Sequence, residues 1–180
     1  MKWLVTGYGP FESVVENVTG LVAPKLGHRF EILEVAYEVV DEFIAGLEPD
    51  SFDAWLALGH AKDATKIRVE TLGRNVIGSR PDVRQQGRLN SAIRDDGPPS
   101  VVSTLWAAME RFENDQIVFT DDAGGYLCNY ILYRAVEAFP DKHVGFLHLP
   151  PQDVISVDDQ VAAIHSLMHL AEGLSTKKAG

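Results

Sequence analysis

Ala54-Trp55-Leu56-Ala57-Leu58 is an unbroken apolar run. No polar residue alternates within it, so neither side is patterned to face water, and it reads as a strand buried on both faces. Such strands belong to sheets clad by helices. Before the run, Val40 to Leu47 has helical spacing and stops at Glu48-Pro49. Earlier still, Lys2 to Thr6 is β-rich and ends in Gly7-Tyr8-Gly9-Pro10, Asn17 to Leu26 reads as a helix, and Phe30 to Val35 is the next apolar run. That is a βαβ opening.

Downstream, Lys66 to Thr71 reads as a strand, and residues 73–98 form a long aperiodic loop rich in Gly, Pro, Arg, Asp and Gln. Ser100 is placed to cap a helix running to about Phe112, and Gln116 to Thr120 is a further strand ahead of a turn at Gly124-Gly125. Tyr126 to Phe139 is amphipathic with helical spacing, Lys142 to Leu149 is a strand ended by Pro150-Pro151, and Val157 to Leu174 is a last helix. Strand and helix alternate throughout, without repeat or linker. The expectation is an α/β fold: one α/β/α sandwich domain over residues 1–180, with a mainly parallel or mixed central sheet. In such sheets reactive groups gather at the carboxyl ends of strands.

With 180 residues, 46% of them hydrophobic, the chain is long enough to bury a core unaided. Sixteen basic against 26 acidic residues give a net charge of -10, which repels phosphate backbones and anionic membrane surfaces, so nucleic acid and membrane are not expected partners. No segment approaches the roughly 20 apolar residues that span a bilayer, and a cytoplasmic location is expected. The one cysteine, Cys128, cannot form an internal disulfide or a thiolate zinc cage.

Cys128 falls three residues after Gly125, at the start of a predicted helix. The positive end of the helix dipole and its unpaired amides favour a thiolate there, and the same amides can receive an oxyanion. A buried packing role on a core helix is the alternative, since free cysteine is among the most buried residue types, and position alone does not decide between them. A thiol nucleophile needs a base, and His148 sits at the carboxyl end of the last predicted strand, the edge where the Cys128 helix begins. Other signals are weaker. Gly7-x-Gly9 lacks the third glycine of a dinucleotide loop. His165 and His169 have the spacing of a metal pair but no accompanying ligand set, and read as solvent-facing; Asp121-Asp122 reads as a turn. No metal or cofactor is expected.

Ala123-Gly124-Gly125-Tyr126-Leu127-Cys128-Asn129 resembles A-G-T-[FY]-x-C-N, Gly145-Phe146-Leu147-His148-Leu149-Pro150 resembles G-F-[IL]-H-[VI]-P, and Val69-Glu70-Thr71-Leu72-Gly73-Arg74-Asn75 resembles E-R-x-A-x-N. By these three separated blocks the chain resembles pyroglutamyl peptidase I, the pyrrolidone-carboxylate peptidase family of cysteine peptidases. Thr6-Gly7-Tyr8-Gly9-Pro10-Phe11, with Asn17, is similar to T-G-[FY]-x-P-F, and Asp96-Gly97-Pro98 leading to Ser103 adds a fifth match. The resemblance implies a triad of Cys128 as nucleophile, His148 as base and Glu70 as the residue that orients it. It implies further that Tyr8, Phe11 and Tyr126 hold a lactam ring, that His60 borders the pocket where a Gln is common, and that Arg80 assists the oxyanion. The implied substrates are small peptides with an N-terminal pyroglutamate, and the implied assembly is a homo-oligomer, dimer or tetramer. The stretch Leu58-Gly59-His60-Ala61-Lys62-Asp63-Ala64 departs from the family's L-G-x-A-G-G-R, and the chain is short near residue 152. A diverged member that binds or hydrolyses another small cyclic or amide ligand is the alternative.

Overall fold

In the computed structural model, which describes residues 1–11 and 14–178, the unbroken run at residue 54 becomes a central strand. Six strands form one sheet: β1 (Trp3–Tyr8), β2 (Arg29–Leu33), β3 (Ala54–His60), β4 (Ile67–Glu70), β7 (Ile117–Thr120) and β8 (His143–Leu149), in the order β2-β1-β3-β8-β4-β7. The first four in that order run parallel; β4 is antiparallel to β8 and parallel to β7. The sheet is therefore mixed and mostly parallel. A separate antiparallel pair joins β5 (Leu72–Arg74) to β6 (Ser100–Val102).

Trp55, Leu56, Ala57 and Leu58 are all at most 2% exposed. Alternate residues feed two cores. Trp55, Ala57 and Phe146 pack with α2 (Tyr37–Gly46) and α3 (Leu127–Ala138). Leu56, Leu58, Leu147 and Leu149 pack with α1 (Val18–Val22) and α4 (Val157–Lys178). Pro24 is why α1 is short: lacking an N–H, it cannot continue the α-helical ladder, and Ala23–Leu26 tightens into a 3₁₀ turn.

The helix expected from Ser100 to Phe112 does not form. Ser100, Val101 and Val102 pair instead with β5, and Ser103 donates its N–H to Thr71 O at 2.9 Å and its hydroxyl to Val144 O at 2.8 Å. Turns then lay Leu105 and Trp106 against Gly145, where an added Cβ would meet them at 2.7 and 2.8 Å. The apolar spacing that reads as helical serves sheet cover, and the β-branched Val101-Val102 pair fits a strand better than a first helical turn. Residues 73–98 remain largely a loop after β5. Buried Asp82 ties that loop to the body by accepting the Tyr37 N–H at 3.1 Å, at the start of α2, and the Arg84 and Gln86 N–H groups at 2.9 and 2.8 Å.

Candidate active site

The site is built where β8, β4 and the N-terminus of α3 meet. In register, Glu70 of β4 faces Phe146 and Arg68 faces His148, so the antiparallel turn of β4 carries Glu70 down beneath the histidine instead of leaving it at the loop edge. Glu70 is fully buried, and its Oε1 lies 2.7 Å from His148 Nδ1. Its other oxygen accepts the Thr120 hydroxyl at 2.5 Å, from the neighbouring β7. A buried carboxylate held on both oxygens cannot swing, so the imidazole it bonds is fixed in tautomer and direction.

Cys128 lies close enough to His148 to act on its charge. Burial alone pulls the imidazole down, but the Cys128 sulfur and Glu70 outweigh it and push His148 up to about 10. Phe146 packs edge-on against the ring, with centroids 4.9 Å apart. The arrangement thus favours the imidazolium form of His148.

Half-buried Cys128 is the second residue of α3. Tyr126, the cap residue, is extended and offers no side-chain cap, and the first backbone bond of the helix is Tyr130 N–H to Tyr126 O at 2.9 Å. The amides of the first turn are therefore not consumed by a side-chain cap, and Cys128 belongs to that turn. Asn129, fully buried, fixes this end of the helix: it accepts the Arg74 N–H at 2.7 Å and donates to Arg74 O and Val76 O at 2.8 and 2.9 Å. Space for the sulfur comes from Gly59, where an added Cβ would lie 2.7 Å from Cys128 Sγ and 2.5 Å from Phe146 Cζ.

Of the expected pocket residues, Tyr8 is 4% exposed and sits under the helix start, its hydroxyl donating to Leu127 O at 3.3 Å. Burial first, then the nearby Cys128, push its phenol well above the ordinary range. Phe11 and Tyr126 come together around Arg80, whose guanidinium carbon lies 5.7 and 4.5 Å from their ring centroids. His60 ends β3 beside β8; burial and then the charge of His148 lower its imidazole, and its buried Nδ1 has no hydrogen-bond partner among the described residues. A cleft of about 490 Å³ runs from Phe11 and Arg80 past His60 to Lys62 and Arg68.

Thr120, Gly59 and Asn129 were not singled out by sequence reasoning. Gly59 and Asn129 lie inside the motif blocks and could have been found there; the role of Thr120 depends on the pairing of Glu70 with Thr120 across β4 and β7, for which no local pattern exists. His165 and His169 are exposed, as expected, and among the described residues no group of three or more His, Cys, Asp or Glu could hold a metal ion. Nor is any described helix long and apolar enough to cross a membrane.

A family model for pyroglutamyl peptidase matches residues 1–177. A pyrrolidone-carboxylate peptidase of Streptococcus suis (strain 05ZYH33) is 30% identical over 197 aligned residues, covering 97% of this chain and 89% of that protein. One of Staphylococcus carnosus is 29% identical and covers 89% and 84%. Among solved structures, pyrrolidone carboxyl peptidase from Thermus thermophilus superposes with a TM-score of 0.80 at 26% identity, over 94% of this chain and 98% of that one. The enzyme from Thermococcus litoralis, at 22% identity, shares the fold with a TM-score of 0.82 over 99% and 96%.

Proposed function

Because this chain belongs to the pyroglutamyl peptidase family, we propose that it is a cysteine peptidase that removes an N-terminal pyroglutamyl residue from peptides, with Cys128 as nucleophile, His148 as acid and base, and Glu70 as the orienting residue. The observation that carries the assignment is the 2.7 Å contact of His148 Nδ1 with buried Glu70, with Cys128 close enough to act on the same imidazole.

The Cys128 thiolate attacks the pyroglutamyl carbonyl carbon, forming a C–S bond while the carbonyl electron pair moves to oxygen. Amides of the first turn of α3 hold that oxyanion, and Arg80 contributes a charged donor from its place against Phe11 and Tyr126. As the tetrahedral species collapses, the C–N bond breaks and His148 gives its proton to the leaving amine. His148, now neutral, takes a proton from water, which attacks the thioester; pyroglutamate leaves and the thiolate and imidazolium are restored. In this reading Tyr8, Phe11 and Tyr126 hold the flat lactam, and His60, whose buried Nδ1 has no partner among the described residues, borders the pocket. The domain acts on peptides in the cytoplasm and uses no cofactor.

Release of the fluorophore from pyroglutamyl-aminomethylcoumarin by the reduced protein tests the proposal, with Cys128→Ala alongside. Turnover that disappears in the variant is the expected result. Equal turnover in both removes Cys128 from the chemistry; none in either, from folded protein, removes pyroglutamate as substrate.

A further inference from the structure

The cleft beside the triad gathers basic side chains. The chain carries a net charge of -10, yet among the described residues the cleft lining holds Lys62, Arg68 and Arg80 with a single carboxylate, Asp63. Two of these cations are notable because the fold gives them nothing to pair with: neither Lys62 nor Arg68 makes a side-chain hydrogen bond or ion pair among the described residues. In a chain with 26 acidic residues, a surface arginine readily finds one, as Arg84 does with both Glu34 and Glu38.

Arg68 is also in a particular place. It is half-buried on β4, directly across from His148 in the β4–β8 register and two residues from Glu70, so it rises on the same face of the sheet as the triad. Lys62, on the turn after β3, faces the same cleft.

We propose that the end of this cleft at Lys62 and Arg68 receives the part of the substrate beyond the scissile amide, and that Arg68, seconded by Lys62, selects a carboxylate carried by the residue next to pyroglutamate. The inference rests on the peptidase reading and adds a charge preference to it. Two sources supply such a carboxylate: the α-carboxylate of a pyroglutamyl dipeptide, or an Asp or Glu side chain in a longer peptide. Arg68 is a specificity residue here, with no part in bond making.

The test compares kcat/KM for pyroglutamyl-alanine with its amide, and for pyroglutamyl-glutamate amide with pyroglutamyl-glutamine amide. A charge-assisted contact predicts a preference of about 10-fold for the charged member in the arm that matches the true source. That preference collapses toward equality in Arg68→Gln, persists in Arg68→Lys, and shrinks as salt is raised. Calorimetric affinities of the Cys128→Ala protein for the same four compounds read the contact without turnover. No preference in either arm, or one that Arg68→Gln leaves intact, overturns the inference while leaving the peptidase reading standing. Failure to hydrolyse even the neutral members would strike the reading itself, and the calorimetric pairs would still decide the contact.

Discussion

Replacing Gly59 by Ala isolates the space on which the nucleophile depends. The added Cβ would sit 2.7 Å from Cys128 Sγ and 2.5 Å from Phe146 Cζ, against the 3.4 Å at which ordinary contact begins. The sulfur must therefore retreat by about 0.7 Å, and the ring that packs on His148 by about 0.9 Å. Displacements approaching 1 Å at a reacting group cost about 10²-fold in rate, and overpacking of this kind costs about 1–3 kcal/mol of stability. Gly145→Ala is the matched control: its Cβ would press on Leu105 and Trp106 at 2.7 and 2.8 Å, in the core on the other side of the sheet. Both variants should melt lower than wild type by several degrees, at about 2–4 °C per kcal/mol. Only Gly59→Ala should lose about 10²-fold in kcat/KM on pyroglutamyl-aminomethylcoumarin, assayed well below its melting point. Loss of less than about 3-fold in Gly59→Ala, or equal losses in the two variants, would refute the claim that the glycine holds the thiol in place.

Glu70→Gln keeps the shape of the orienting residue but removes its charge, and should lower kcat by about 10²–10⁴-fold with little change in KM, as steady-state kinetics would show. Thr120→Val frees one oxygen of Glu70 from its 2.5 Å hydrogen bond; the buried acceptor left without a partner should cost about 1–3 kcal/mol in denaturant unfolding, with a smaller fall in kcat. The His148 imidazole, followed by NMR, should titrate near 10, and should move down in Cys128→Ser, where the sulfur is gone. Because that folded value lies above the ordinary 6.5 of histidine, the charge on His148 stabilises the fold fully below about pH 6.5. The contribution is lost as pH rises through about 10. Thermal melts across that range should fall more steeply for wild type than for Cys128→Ser.

The double-sided apolar run at residues 54–58 was enough to read a helix-clad sheet, since burial of both faces leaves few other architectures. Cys128 and His148 were legible for a related reason: each stands at a junction, one starting a helix after a glycine turn and one ending a strand before two prolines. Their meeting with Glu70 was carried by motif resemblance, because the contact needs β4 to run against β8, and nothing in residues 67–70 signals direction. Ser100 to Phe112 was misread where tertiary packing overrode a local pattern, Leu105 and Trp106 covering the sheet from turns instead of from a helix. The placing of Arg80 between Phe11 and Tyr126, like the unpaired state of Arg68, is three-dimensional and left no trace in spacing.

The central claim is that a thioester forms at Cys128. Acid quenching during turnover of a pyroglutamyl peptide, followed by digestion and mass spectrometry, tests it most directly. The account predicts one pyroglutamyl group added to the peptide that contains Cys128, absent in Cys128→Ala and accumulating when His148 is replaced by Gln at a slower rate. An adduct on any other residue, or undiminished turnover without Cys128, would contradict it.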